Sequence, residues 1–78
     1  MIIVYTADEC GWCRLVKQFL DEKGVQYEEV DITRHPERLA ELIGKSMQTS
    51  VPVTDVNGTV IVGYQREALE RALSALDQ

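Results

Sequence analysis

Apolar positions along the 78-residue chain change their period several times, and each change marks an element. Ile2-Ile3-Val4-Tyr5 is β-branched and aromatic, which predicts a short buried strand. Thr6 to Glu9 are polar and end it. From Trp12 to Lys23 the apolar residues are Trp12, Leu15, Val16, Phe19 and Leu20, which share one helical face. Arg14, Lys17, Gln18, Asp21 and Glu22 cover the other. Gly24 stands where a glycine commonly ends a helix. Val25 to Ile32 contains a second strand, interrupted by the acidic pair Glu28 and Glu29. Pro36 fits the first turn of another helix, where its missing N–H costs nothing. Leu39, Leu42 and Ile43 follow at i, i+3 and i+4, Gly44 closes that helix, and Lys45 to Ser50 read as a polar loop. Val53 to Val56 and Thr59 to Val62 are strands joined by Asn57-Gly58, a hairpin dipeptide because both residues tolerate positive φ. Ala68, Leu69, Ala72, Leu73 and Leu76 then form a last helical stripe.

The order β-α-β-α-β-β-α predicts an α/β domain. A strand–helix–strand start implies a parallel pair with a right-handed crossover, and the hairpin adds two antiparallel strands. The expected architecture is a mixed four-stranded sheet with helices on both faces. No linker, repeat or low-complexity stretch divides the chain, so residues 1–78 read as a single domain.

Composition narrows the function classes. The chain is 45% hydrophobic, enough for a core and against disorder. Thirteen acidic residues against eight basic ones give a net charge of −5, and no two Lys or Arg are adjacent. A nucleic-acid partner bound through phosphates is disfavoured. No apolar run reaches the roughly 20 residues that span a bilayer, and the first residues lack the pattern of a signal peptide. The expected compartment is the reducing cytoplasm, consistent with a chain that has only two cysteines rather than a disulfide framework.

Those two residues carry the chemistry. Cys10-Gly11-Trp12-Cys13 follows the first strand and opens the first helix. Helix N-termini present free N–H groups and partial positive charge, so a thiolate at Cys10 is stabilised there and its pKa falls. Asp8 and Glu9 act in the opposite sense, but as exposed groups they are screened. Cys13, one turn further, is placed to attack a mixed disulfide formed at Cys10, which suits thiol–disulfide exchange. Two cysteines and one histidine are too few for a structural zinc site in one chain. A cluster bridged between two chains and a pair of inert buried cysteines stand as the alternatives.

Taken together, Tyr5-Thr6, Cys10-Gly11-Trp12-Cys13, Ser50-Val51-Pro52 and Gly63-Tyr64 resemble, in order and spacing, the glutaredoxin branch of the thioredoxin-like fold. The resemblance spans nearly the whole chain. It implies a thiol–disulfide oxidoreductase in which Cys10 is the attacking nucleophile and Cys13 the resolving thiol. Pro52 would be cis and face the cysteines, and Val51 would offer its backbone to an extended peptide or to glutathione. Trp12, Gly63 and Tyr64 complete the expected substrate-binding or glutathione-binding set. No bound cofactor or metal is implied; the reductant is glutathione or an NADPH-dependent thioredoxin reductase, and the expected state is a monomer.

Departures from the family pattern discriminate between those reductants. Glutathione-using members carry a lysine shortly before the first cysteine, where this chain has Ala7. They carry Gly-Gly and an acidic residue where it has Val62-Gly63 and Gln65-Arg66. Gly63-Tyr64-Gln65-Arg66-Glu67 looks more like the small redoxins that reduce ribonucleotide reductase and are recharged by thioredoxin reductase. The alternative is a dimer that holds an iron–sulfur cluster through Cys10 and external glutathione. Among other residues, Trp12 and Tyr64 are expected either to pack on the surface or to contact a partner. Arg14 is read as a solvated helix position. His35 is read as a cap or exposed position, distant from the cysteines. Glu28 and Glu29 carry no catalytic signal.

Overall fold

The computed structural model describes residues 1–76. The sheet has the order β2-β1-β3-β4, formed by β1 (Ile2–Thr6), β2 (Glu28–Asp31), β3 (Val53–Val56) and β4 (Thr59–Val62). β1 pairs parallel with β2, with Val4 opposite Glu29 and Thr6 opposite Asp31, and antiparallel with β3. β3 and β4 form the Asn57-Gly58 hairpin, with both turn residues at positive φ (51° and 102°). Three helices cover the sheet: α1 (Gly11–Glu22), α2 (Leu39–Ser46) and α3 (Arg66–Leu76). This is the thioredoxin-like α/β architecture.

Strand alternation divides the core into two layers. Ile2 and Val4 join Val16, Phe19 and Leu20 of α1 and Leu69 and Ala72 of α3 on one face. Tyr5, Val30, Val53 and Leu42 of α2 pack on the other. A fully buried large apolar side chain contributes about 1.5–3 kcal/mol, so these two small clusters carry most of the stability. One polar atom spoils the first layer. Thr54 is fully buried, and its Oγ1 has no hydrogen-bond partner among the described residues.

Four boundaries differ from the sequence expectation. β1 runs on through Thr6, which is buried rather than ending the strand. The second strand begins only at Glu28. Val25 and Tyr27 pack against the core ahead of it, and the acidic pair lies inside the strand rather than interrupting it. An edge strand tolerates this, because its residues reach solvent and basic partners: Glu28 meets Arg38 at 3.0 Å and Glu29 meets Lys17 at 3.0 Å. The segment after Pro36 opens as a 3-10 turn, Pro36–Arg38, before α2 proper. Gly44 does not close α2. The helix runs on to Ser46 and ends at Met47 in the left-handed conformation (φ 60°), so Lys45 and Ser46 are helical rather than loop. The extra turn is held by side chains. Lys45 bonds Asp55 at 2.7 Å and sits 5.1 Å over the Tyr5 ring, and the Ser46 hydroxyl donates to the Leu42 carbonyl at 2.7 Å.

The same corner holds a polar network under α2. The buried Tyr5 hydroxyl donates to Glu41, whose carboxylate also takes two bonds from Arg38. Arg38 and Tyr5 hold the Glu41 carboxyl below its ordinary range. Burial and the neighbouring carboxylate push the Tyr5 phenol up. A carboxyl depressed on folding adds stability above its unfolded pKa, and that stability is lost as pH falls through the folded value. A phenol raised on folding adds stability below its unfolded pKa, lost as pH rises through the folded one. Chemical denaturation should therefore find Glu41→Gln destabilised by about 1 kcal/mol at pH 7, with the gap to the parent closing in acid. A gap that persisted unchanged below the carboxylate range would contradict this. Thr54→Val should raise stability by about 1 kcal/mol, since it removes an orphaned buried hydroxyl and keeps the β-branch; a lowered melting temperature would refute that account.

Candidate functional site

The C-terminal ends of the parallel strands β1 and β2 lie at one margin of the sheet, and the chain leaves β1 there toward α1. Thr6 to Glu9 make the turn, with the Asp8 N–H donating to the Thr33 hydroxyl at 3.1 Å. Glu9 adopts positive φ (58°), which redirects the backbone into the helix. Cys10 is then the N-cap of α1, in extended conformation, and its Sγ accepts the Cys13 N–H at 3.1 Å. This is the bond a serine or aspartate usually supplies at a helix start. Here sulfur takes the role, so one of the free N–H groups of the helix points at Cys10 Sγ.

Cys10 and Cys13 are joined by a disulfide, with their Cα atoms 5.3 Å apart. Cys10 is half-buried and Cys13 is buried at 2% exposure. That asymmetry leaves Cys10 as the sulfur a partner reaches first. The far end of α1 is fixed by a Schellman motif: the Val25 N–H bonds the Leu20 carbonyl at 3.4 Å and the Gly24 N–H bonds Asp21 at 3.1 Å. With both ends capped and four residues buried, the helix is a rigid mount for the cysteines.

The other residues singled out in the sequence gather in two pairs. The Val51–Pro52 peptide bond is cis, and Pro52 is buried. Its carbonyl accepts the Gly63 N–H at 2.8 Å, which ties the segment before β3 to the segment after β4. Gly63 has φ 82°, a conformation side chains rarely adopt, so glycine is required to keep that bond. Trp12 stacks on Tyr64 with ring centroids 6.3 Å apart and planes 28° apart. Trp12 is 63% exposed, whereas Tyr64 is half-buried and packs against the core, so the Trp12 ring is an aromatic surface resting on a core-anchored tyrosine. Gln65, at the position of the family's acidic residue, turns its amide back to donate to the Val62 carbonyl at 2.7 Å.

A solvent-open depression of about 520 Å³ adjoins the cysteines on a different side. Cys10 and Cys13 line it, but Trp12, Val51, Pro52, Gly63 and Tyr64 do not. Apart from Ala7, its remaining lining is charged or titratable, and it includes Glu29 and His35, to which the sequence assigned no role. His35 is exposed as expected and stands at the start of the 3-10 turn, without a side-chain capping bond. Although a whole strand separates it from the cysteines in sequence, it lines the same depression, because a parallel crossover returns the end of β2 to the end of β1. The available signal was topological: residues just past two parallel strands meet, however far apart in sequence. Among the described residues no group of three or more His, Cys, Asp or Glu is arranged to hold a metal ion.

Comparison with known proteins agrees with this geometry. Residues 2–61 match the glutaredoxin family model. A glutaredoxin from Pseudomonas aeruginosa is 38% identical over 72 residues, 91% of this chain and 86% of the relative. The glutaredoxin-like protein NrdH of Lactococcus lactis is 28% identical over 54 residues, 69% of this chain and 75% of that one. Among solved structures, the thioredoxin-like protein BC3987 superposes with a TM-score of 0.86 at 33% identity, covering 92% of this chain and 99% of its own. The sulfur-capped helix start therefore sits in a chain that belongs to the glutaredoxin family, a thioredoxin-like redox protein with a Cys-x-x-Cys pair.

Proposed function

We propose that this protein is a dithiol carrier that reduces disulfides in protein partners, with ribonucleotide reductase as a candidate substrate, and that thioredoxin reductase rather than glutathione recharges it. Cys10 attacks the partner disulfide and forms a mixed disulfide; Cys13 attacks Cys10 Sγ, releases the partner's thiol and leaves the Cys10–Cys13 disulfide. The observation that carries this reading is the N-cap bond from the Cys13 N–H to Cys10 Sγ. It stabilises negative charge on that sulfur and holds the second thiol one turn away. The exposed Trp12 ring, backed by Tyr64, and the backbone of Val51 and Pro52 supply the docking surface for an extended partner segment.

The choice of reductant rests on the glutathione contacts that are missing. Ala7 offers no charge for a glutathione carboxylate. Gln65 carries no charge for the glutathione amine, and its amide nitrogen is engaged with the Val62 carbonyl. The likeness to an NrdH protein points the same way. No observation favours the alternative dimer bridged by an iron–sulfur cluster through Cys10 and glutathione; a brown purified protein would.

Two measurements test the proposal. With the protein reduced, alkylation by iodoacetamide should occur first at Cys10, with a pH midpoint below the roughly 8.5 of a free cysteine. A midpoint at or above that value would remove the N-cap argument. NADPH consumption should be fast when thioredoxin reductase recharges the oxidised protein and slow when glutathione with glutathione reductase does. Rapid turnover with glutathione alone would show that Val51, Pro52 and Gly63 suffice to bind it, and would overturn the choice of reductant.

A further inference from the structure

We propose that Met47, with Ile43 one turn before it on α2, forms an apolar subsite that takes an apolar side chain of the partner segment beside that partner's disulfide. The proposal rests on the dithiol reading of the site and adds to it a determinant of which protein segments are accepted. α2 carries its charges inward. Glu41 accepts the Tyr5 hydroxyl and pairs with Arg38, and Lys45 pairs with Asp55 of β3. The exposed positions of the helix and its cap are Ala40, Ile43, Gly44 and Met47, and none is charged. Ile43 is 39% exposed and Met47 84%. On a chain that is 27% charged, an outer helix face with no charge marks a contact surface.

Met47 also holds a costly backbone conformation. It ends α2 in the left-handed region, at φ 60° and ψ 26°, with its N–H bonded to the Ile43 carbonyl at 2.7 Å. Glycine adopts that conformation without the Cβ clash that a methionine meets. Asn57 is also left-handed, but it belongs to a residue type whose short polar side chain tolerates this. A thioether has no comparable local bond to offer. At 84% exposure the Met47 side chain recovers little by packing within its own chain. A strained residue without internal compensation points to a functional surface. Contact with a partner supplies the compensation, and the flexible, polarizable thioether fits partner side chains of different shapes.

Gln48 links this subsite to the cysteine site. Its amide brackets Ser50: Oε1 accepts the Ser50 N–H, and Nε2 donates to the Ser50 carbonyl and to the Ser46 hydroxyl, each at 3.1 Å. Both main-chain groups of Ser50 are thereby used. The N–H and C=O of Val51 make no hydrogen bond among the described residues, so an extended partner pairs at Val51 rather than at Ser50. Met47 lies four residues before Val51, a span of at most about 14 Å. An extended partner segment covers that distance in about four residues, so positions close to its cysteine reach Met47. The occupant is therefore the same segment that pairs with Val51. A second copy of this chain is disfavoured, because a net charge of −5 on each copy opposes self-association.

Stopped-flow mixing of the reduced protein with two peptide disulfides tests this. Each peptide pair carries a fluorophore and a quencher across its disulfide; one has leucines flanking its cysteines and the other has serines. The parent should open the leucine peptide at least about fivefold faster. Met47→Gly should bring the leucine rate down to that of the serine peptide. The same variant should melt at a higher temperature, since glycine removes the left-handed cost. Met47→Leu should keep the preference for leucine. Lost selectivity in a more stable protein is a result that a structural role for Met47 does not produce. Equal rates for the two peptides in the parent, a preference that survives in Met47→Gly, or a fall shared equally by both peptides overturns the proposal and leaves the dithiol carrier standing. So does a dimer seen by sedimentation that Met47→Gly abolishes, because the face would then belong to a second copy. A reduced parent that opened neither peptide would refute the carrier reading itself.

Discussion

Parallel pairing of β1 with β2 is the constraint on which the rest of the site depends. It requires a crossover helix, and it brings the C-terminal ends of both strands to one margin of the sheet. Everything reactive collects there. The turn out of β1 delivers Cys10 to the N-cap of α1, and α1 returns the chain so that β2 presents Glu29 opposite Val4. Because side chains alternate along a strand, the register that buries Val4 and Ile2 under α1 also sends Thr6 and Glu29 to the same side. A one-residue slip of β2 would bury Glu28 or Glu29 on the wrong face and separate Glu29 from Thr6. Core packing therefore fixes the relation between the cysteines and their polar surroundings.

The two faces of the sheet are stabilised differently. Beneath α1 and α3 the layer is apolar and carries the helix that mounts the dithiol. Its one ring with cationic neighbours is Phe19, with Lys23 and Arg66 each near 5.5 Å from it. Beneath the short α2, which buries only Leu42 from its own length, charged groups do more. Arg38, Glu41, Lys45 and Asp55 tie the helix to Tyr5 and to the β3 hairpin. This side contains no cysteine and lies away from the depression. Titrating its carboxylates should loosen α2 and leave the capped start of α1 intact.

Much of this was legible in the chain, and the remainder failed for identifiable reasons. The hairpin is correct to the residue because Asn57-Gly58 is a local signal needing no tertiary information. The start of α1 and its glycine stop were equally local. Gly44 misled because glycine is only a statistical stop: Lys45 and Ser46 make side-chain contacts that sustain one more turn, and Lys45's partner Asp55 is ten residues away in sequence. Glu29 and His35 were passed over because their position depends on the crossover, which brings distant residues together only after the sheet forms. The two cysteines stood out from spacing and context alone. The Trp12–Tyr64 contact, the tie between Gly63 and Pro52 and the ion pair under Glu29 needed coordinates.

At the mouth of the site two electrostatic effects on Cys10 oppose each other, and distance decides between them. The Cys13 N–H lies 3.1 Å from the sulfur, is partly buried, and belongs to a helix end whose charge effect is about 0.3–1 kcal/mol. Asp8 and Glu9 are adjacent in sequence but exposed, so solvent and ions within a Debye length of roughly 8 Å attenuate their repulsion. The local, directional contact prevails, and the sulfur remains an acceptor despite a chain with net charge −5. The same inequality bears on partner choice. For the protein partner of the proposed function, long-range attraction would favour a basic surface around its disulfide, and the exposed Trp12 ring would give an apolar contact on arrival. On the proposed choice of reductant, anionic glutathione would meet no compensating cation at Ala7, and the net charge of this chain would act in the same sense.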